Sequence, residues 1–298
     1  MALVRAEGIV LAHRDLGDTS RIVIAYTREQ GKLGFVAKGA RTPKSRYGAT
    51  MLPGAHISVV LYQRETLDLR YLSQADLLSA YTMFDTTLEN QIAAQAVCEL
   101  LDAMIDGEEP ETRLFALTLE ILSLLGARGG PTSPGFDATG PVLSAGGASV
   151  IRDGPRTEAP VTASQRTAWL LAYQYRTAIL LGLRPELRRC VACRQSPTGR
   201  LRFSPRRGGV LCERCGTQEM ESFALHTGVV SCLRMMESGP LSRVVEPPAP
   251  LAAHAETALD LFLRCHVPHF RGLSARELLK TLLPESMVPT TPASAPAP

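Results

Sequence analysis

Arg21-Ile22-Val23-Ile24-Ala25-Tyr26-Thr27, then Arg28-Glu29-Gln30-Gly31, then Leu33-Gly34-Phe35-Val36-Ala37 decide how the chain begins to fold. The first run is β-branched and aromatic, with Ile22, Ile24 and Tyr26 alternating against Arg21, Val23 and Ala25. That period predicts a strand. The glycine-containing tetrapeptide predicts a hairpin loop, and the last run is the return strand. Upstream, Gly8-Ile9-Val10-Leu11 opens another strand. Downstream, residues 56–62 and 67–72 read as a second hairpin around Gln63-Arg64-Glu65-Thr66. Five short strands in about 80 residues predict a small closed barrel, with the OB-fold as the natural candidate.

Beyond residue 80 the pattern changes to a helical one. Ile92, Val97, Leu100, Leu101 and Met104 share one helix face, and Gly107 and Pro110 end it. A second helix is predicted over 112–125, a third over 165–181, and others over 217–237, 251–265 and 274–283. Residues 127–163 are rich in Gly, Pro, Ser, Thr and Ala and read as a flexible insert. Residues 284–298 hold five prolines and read as a disordered tail. The class is therefore α+β: a barrel over 1–80, then a mostly helical domain over 81–283.

The totals fit this organisation. The chain has 298 residues, of which 45% are hydrophobic and 20% charged, enough for a real core. Apolar runs long enough to span a bilayer are lacking, and the N-terminus does not read as a signal peptide. The expectation is a cytoplasmic protein with no membrane partner. Only four of the 32 cationic residues are Lys; the remaining 28 are Arg, the better fork for phosphate.

Within the helical domain, Cys190-Val-Ala-Cys193 and Cys212-Glu-Arg-Cys215 stand eighteen residues apart. Two C-x2-C pairs at this separation predict a four-cysteine zinc site over 190–215. Each pair presents two thiolates, and four soft ligands satisfy a tetrahedral ion and leave no open position, so the zinc would be structural. A redox pair and an iron–sulfur cluster are the weaker readings. Cys98, Cys232 and Cys265 read as small hydrophobes on apolar helix faces.

Charge is distributed unevenly. Residues 1–50 carry nine cations against four acids, densest at Lys38-Gly-Ala-Arg41-Thr-Pro-Lys44-Ser-Arg46. Residues 184–215 carry nine arginines against Glu186 and Glu213, whereas 81–130 carry nine acids against two arginines. Basic loops with glycines suit contact with a phosphate backbone. Tyr47, inside the basic loop, is the best candidate for stacking on a base. The acidic helical stretch could be a solvated face or a protein-docking face.

The ordered set Gly8-Ile9-Val10-Leu11, Leu16-Gly17-Asp18-Thr19-Ser20-Arg21-Ile22, Gly31-Lys32-Leu33, Ala37-Lys38-Gly39-Ala40-Arg41, Lys44-Ser45-Arg46 and Leu72-Ser73-Gln74-Ala75-Asp76 resembles the N-terminal domain of the RecO family of bacterial DNA repair proteins. Leu181-Gly182-Leu183-Arg184-Pro185, Phe203-Ser204-Pro205, Gly208-Gly209-Val210-Leu211 and the four cysteines resemble that family's zinc segment. The resemblance implies an OB-fold, a helical C-terminal domain and a recombination mediator of the RecF pathway without a catalytic centre, working at the bacterial nucleoid. It implies binding of single- and double-stranded DNA, strand annealing and, with RecR, loading of RecA onto DNA coated by single-strand-binding protein. By the same resemblance Arg21, Lys38, Arg41, Lys44 and Arg46 are the DNA-binding residues, and Cys190, Cys193, Cys212 and Cys215 hold Zn2+. The insert and tail depart from the family pattern. A competing reading is an OB-fold and zinc-ribbon factor that binds RNA or a polymerase. A phosphoryl-transfer enzyme is disfavoured, because no phosphate loop and no paired carboxylates with metal spacing are found.

Overall fold

The computed structural model of the chain describes residues 2–42, 45, 47, 49–63, 70–80, 86–126, 160–197 and 199–282. The predicted tail, nearly all of the predicted insert and the Gln63–Thr66 turn beyond Gln63 lie outside the described residues. The barrel strands are β1 (Ala2–Leu16), β2 (Ser20–Thr27), β3 (Gly31–Ala37), β4 (His56–Gln63) and β5 (Arg70–Ser79). They close in the order β1-β2-β3-β5-β4 and back to β1, as in an OB-fold. All pairings are antiparallel except β3 with β5.

β1 begins earlier than the sequence reading placed it. Its first half pairs with β4 and its second half with β2, so one long strand serves two neighbours. An irregularity between Val10 and Ala12 lets it turn from one to the other. β5 likewise extends to Ser79, past the expected end at residue 72.

The barrel interior is filled by Ala6, Val10, Val23, Ala25, Leu33, Phe35, Ala37, Ile57, Val59 and Leu61. β2 corrects the simple reading of its alternation. Val23 and Ala25 point into the barrel, while Ile24 and Tyr26 on the outer face pack against the helices. Both faces of this strand are buried, because the barrel stands against the helical domain.

The helices are α1 (Leu88–Met104), α2 (Thr112–Gly126), α3 (Ala163–Leu180), a short α4 (Glu213–Gly216), α5 (Thr227–Met235), α6 (Ala249–His266) and α7 (Ser274–Leu282). Thr87 and Thr162 cap α1 and α3, each side chain accepting a backbone N–H three residues on. One core joins Ile9, Leu11 and Tyr26 of the barrel to the buried faces of α1, α2, α3, α5, α6 and α7, with Trp169 and Tyr173 at its centre.

The α1–α2 loop fastens the barrel to the helices. The Tyr26 hydroxyl donates to the Glu111 carbonyl at 3.0 Å. Lys32 Nζ donates to the Ile105 carbonyl at 3.1 Å and pairs with Asp102 at 2.9 Å. Arg70 forks onto Glu108 at 2.9 and 2.8 Å and holds that carboxyl below the usual range. Gly31, at φ +63°, is required here: a Cβ would sit 2.7 Å from the Glu108 backbone. Much of the acidic stretch is thus occupied internally. Glu99 accepts from Ser274 and Ala275 at the start of α7, and Glu120 accepts the Leu241 N–H.

The predicted helix over 217–237 is corrected. Only Thr227–Met235 is helical; Phe223–Ala224 is a strand, β8. β8 pairs with β6 (Arg202–Ser204), which also pairs with β7 (Gly209–Leu211). The cause is tertiary: Phe223 meets Phe203 at 5.8 Å between ring centroids, and Phe203 is buried in the main core. Among the described residues no helix is long and apolar enough to cross a membrane.

Candidate functional site

The four cysteines come together as the spacing predicts. Their sulfurs all lie within 4.8 Å of one another, and Cys193 Sγ and Cys212 Sγ are 4.0 Å apart. A tetrahedron with metal–sulfur bonds of about 2.3 Å separates its sulfurs by roughly 3.8 Å, so the cluster fits a four-thiolate ion. The two pairs are built alike. Arg194 N–H donates to the Cys190 carbonyl and Gly216 N–H to the Cys212 carbonyl, both at 2.8 Å. Arg194 adopts the left-handed conformation (φ 63°), unusual for a side-chain-bearing residue, to complete the first turn. Gly209 is needed nearby, because a Cβ there would lie 2.5 Å from the Glu186 carbonyl.

Crowding shifts two of the cysteines in opposite directions. Burial opposes the Cys190 thiolate, yet the Cys193, Cys212 and Ala192 backbone amides and the Cys193 thiol bring its pKa down to about 6. Cys215 is pushed up to about 12, chiefly by Cys212 and then by the other thiols around it. Four clustered thiolates repel one another, and a bound metal ion would neutralise that charge. Outside the cluster, Cys98 and Cys232 are buried as expected; Cys265 is exposed on α6, a correction to its reading as a buried residue.

Of the predicted DNA-binding residues, Arg21, Lys38 and Arg41 gather at one end of the barrel, while Lys44 and Arg46 lie outside the described residues. Arg21 and Arg41 share the Asp15 carboxylate at 3.4 and 3.3 Å. Arg41 also donates to the Gly17 carbonyl at 2.6 Å, and its N–H to the Thr19 carbonyl, which ties the 38–42 segment to the β1–β2 turn. Lys38 is exposed, with its ammonium 5.0 Å from the centre of the Tyr71 ring. Two more cations of the 1–50 cluster, not assigned to DNA in the sequence reading, are exposed on β1 and make no ion pair among the described residues: Arg14, opposite Ile22 near this end, and Arg5, opposite Val60 farther along the strand. Their signal was strand parity, since they alternate with positions that face the barrel interior. Lys32, counted in the same basic cluster, is instead committed to the seam.

Tyr47 is corrected as a stacking candidate. It is buried at 6% exposure in the barrel core.

Around the cysteines, several arginines already have partners: Arg184 with Glu237, Arg206 with Glu221 and Arg207 with Glu219. Arg188, Arg189, Arg194, Arg200 and Arg214 are exposed and make no ion pair among the described residues. Among the described residues, positive charge without ion-pair partners thus stands in two places, one at the barrel end and one on the cysteine segment.

The described geometry has parallels among known proteins. Residues 1–81 match the family model "Recombination protein O N terminal", and residues 85–136 and 163–274 match "Recombination protein O C terminal". The chain belongs to the recombination protein O family. Membership gives it a role in DNA repair and recombination and accounts for an OB-fold followed by a cysteine-bearing helical domain. A DNA repair protein RecO of Symbiobacterium thermophilum is 28% identical over 287 residues, covering 95% of this chain and 98% of the relative. That of Myxococcus xanthus is 28% identical over 262 residues, 88% of this chain and 91% of the relative. That of Salinibacter ruber is 38% identical over 124 residues, 42% of this chain and 48% of the relative.

Proposed function

We propose that this recombination protein O family member is a non-enzymatic mediator that binds single- and double-stranded DNA and anneals complementary strands. With RecR it would help RecA onto DNA coated by single-strand-binding protein, in the bacterial cytoplasm. The observation that carries this reading is the pair of separate basic surfaces. An annealer must hold two strands whose phosphates repel each other. Cations on the barrel, Arg14, Lys38 and the Asp15-linked Arg21 and Arg41 at one end and Arg5 farther along β1, can hold one backbone. Arg188, Arg189, Arg194, Arg200 and Arg214 can hold the other. Neither set reads base edges, so the bases stay free to pair. Lys44 and Arg46 extend the first set on the sequence reading alone.

In the same reading, Zn2+ is the ion held by Cys190, Cys193, Cys212 and Cys215. Four thiolates would close its coordination sphere, and the ion would fix the arginine-bearing turns in place.

The test is anisotropy of a labelled single strand titrated with protein at rising salt. Log affinity should fall linearly with log salt, by roughly 0.7 per phosphate contacted on single strands. Lys38→Glu, Arg41→Glu and Lys44→Glu together should weaken binding and annealing in parallel. A folded triple variant that anneals at the unaltered rate refutes the assignment.

A further inference from the structure

Apolar surface on the barrel exterior is divided in two. Ile9, Leu11, Ile24 and Tyr26 are covered by the helices. A second row, in which Val36 is buried, leaves Leu3 and Tyr62 open to solvent and Tyr71 and Ile22 partly so. Leu3 stands opposite Tyr62 across β1 and β4, Tyr62 opposite Tyr71 across β4 and β5, Tyr71 opposite Val36 across β5 and β3, and Val36 opposite Ile22 across β3 and β2. Residues directly opposite each other point to the same side of a sheet. Leu61, on the other parity of β4, and Leu72 on β5 belong to the barrel core, so the row lies outside. Leu3 is 62% exposed and Tyr62 38% exposed.

We infer that Tyr62 and Tyr71 form a stacking step for two unpaired bases of a single DNA strand. The inference rests on the DNA-binding reading above and adds to it a means of telling single strands from duplex. Three features favour a nucleic acid strand as the occupant. Two phenol rings stand side by side at the base of the β4–β5 connection, and every base has a π-face to lay on them. Lys38 hangs over Tyr71, and Arg5 lies two residues along β1 from Leu3 on the same face; neither makes an ion pair among the described residues. Neighbouring strands of a sheet are about 4.8 Å apart, wider than the roughly 3.4 Å between stacked bases of a duplex. A strand that lays one base on each ring must turn the faces of those bases outward from its own stack. In a duplex the faces of the bases are covered by their neighbours, so only a single strand can use the step. Lys38 then exchanges its contact with the half-buried Tyr71 ring for a phosphate.

The experiment uses the full chain, in its unaltered form and with Tyr62→Leu plus Tyr71→Leu or Tyr62→Phe plus Tyr71→Phe. Leu keeps apolar cover on the strand without a ring; Phe keeps the ring. The probes are a labelled thymidine oligonucleotide of about 20 nucleotides, longer than one OB-fold's site, and a duplex of equal length. The double Leu variant should lose roughly tenfold in single-strand affinity per ring. Its duplex affinity and its salt slope should be unchanged, and the double Phe variant should match the unaltered chain. A 2-aminopurine base in the single strand should change its emission with the unaltered and Phe proteins, not with Leu. Equal loss on both probes, or no loss from Leu, overturns the stacking step and leaves the DNA-binding reading standing. If the unaltered chain binds neither probe at low salt, both fall.

Discussion

The barrel and the cysteine segment carry the same charge, but their order comes from different sources. The barrel encloses its own apolar interior, from Val10 and Val23 to Phe35 and Leu61, and five hydrogen-bonded strands fix its register. The cysteine segment has strands of two or three residues. Phe203, Val210, Leu187 and Leu225 anchor its inner side to the helical core. Its outer side, with the free arginines, has only Cys190, Leu211 and Cys212 as a buried nucleus. The barrel surface rests on burial; the cysteine segment, if its thiols hold the proposed ion, rests on that ion.

The sharpest way to break this contrast is to remove that ion. If Zn2+ is bound as proposed, Cys190→Ser or Cys212→Ser, or treatment with a chelator, should take it from one per chain to none. Structural zinc in finger peptides is worth about 10–16 kcal/mol in apparent terms at pH 7, far beyond what so small a nucleus supplies. Proteolysis should then open residues 186–216, while hydrogen-exchange protection of the barrel strands persists. Metal analysis and exchange mass spectrometry read both arms. Loss of protection in the barrel as well would mean that the two regions form one cooperative unit.

Cooperation has a definite place to act, the seam beneath the barrel. Phe115 of α2 is buried there, 6.1 Å from Tyr26 and 6.2 Å from His56 between ring centroids, with the Arg28 guanidinium 5.1 Å from its own. Phe115→Ala should cost about 3–5 kcal/mol in global stability, as for a large buried aromatic. Denaturant unfolding followed by far-UV dichroism measures it. A cost below 1 kcal/mol would show the barrel and helices to be weakly joined.

The two regions also differ in how much the residues disclosed. The barrel strands and the cysteine cluster were legible, because period-two patterning and C-x2-C spacing are local signals. The faces were harder. In β2 the sequence shows apolar residues on both parities, and nothing local says that Ile24 and Tyr26 meet helices from residues 88–126. Lys32 and Tyr47 read as parts of a basic surface and instead serve the seam and the core. Both placements depend on partners far along the chain, the α1–α2 loop and the barrel interior. Phe223 breaks a helical pattern for a similar reason, because pairing with Phe203 buries its ring. Arg5 and Arg14 counted only as cluster charge in the sequence, and their outward placement on β1 followed from the strand faces.

Charge reversal sharpens the comparison at the level of function. Arg189→Glu with Arg194→Glu removes two free cations from the cysteine segment and leaves the barrel untouched. If the two surfaces hold one strand each, annealing should fall by about tenfold or more, while affinity for a single strand changes much less. The salt slope for a single strand bound at the barrel should stay the same, since each lost phosphate contact would lower it by roughly 0.7. Fluorescence transfer between complementary labelled strands gives the annealing rate. A slope and affinity that fall together with annealing would place the first strand on the cysteine segment instead.

The smallest effect tests whether the barrel's cations are held back or held in place. Asp15 accepts from both Arg21 and Arg41, and its side chain is 53% exposed. Exposed pairs of this kind are worth about 0.2–1 kcal/mol each, weak enough for a phosphate to replace the carboxylate. Arg41 does not depend on Asp15 for its position, because the Gly17 carbonyl holds the same side chain at 2.6 Å. Asp15→Asn should therefore leave the guanidiniums near the barrel end and remove the anion that competes with DNA. Single-strand affinity should rise about two- to fivefold at low salt, as expected for the loss of one or two such pairs. The gain should shrink as salt screens the surface. A fall in affinity would mean that Asp15 orients the arginines for phosphate, and that the two regions differ in charge placement as well as in the source of their order.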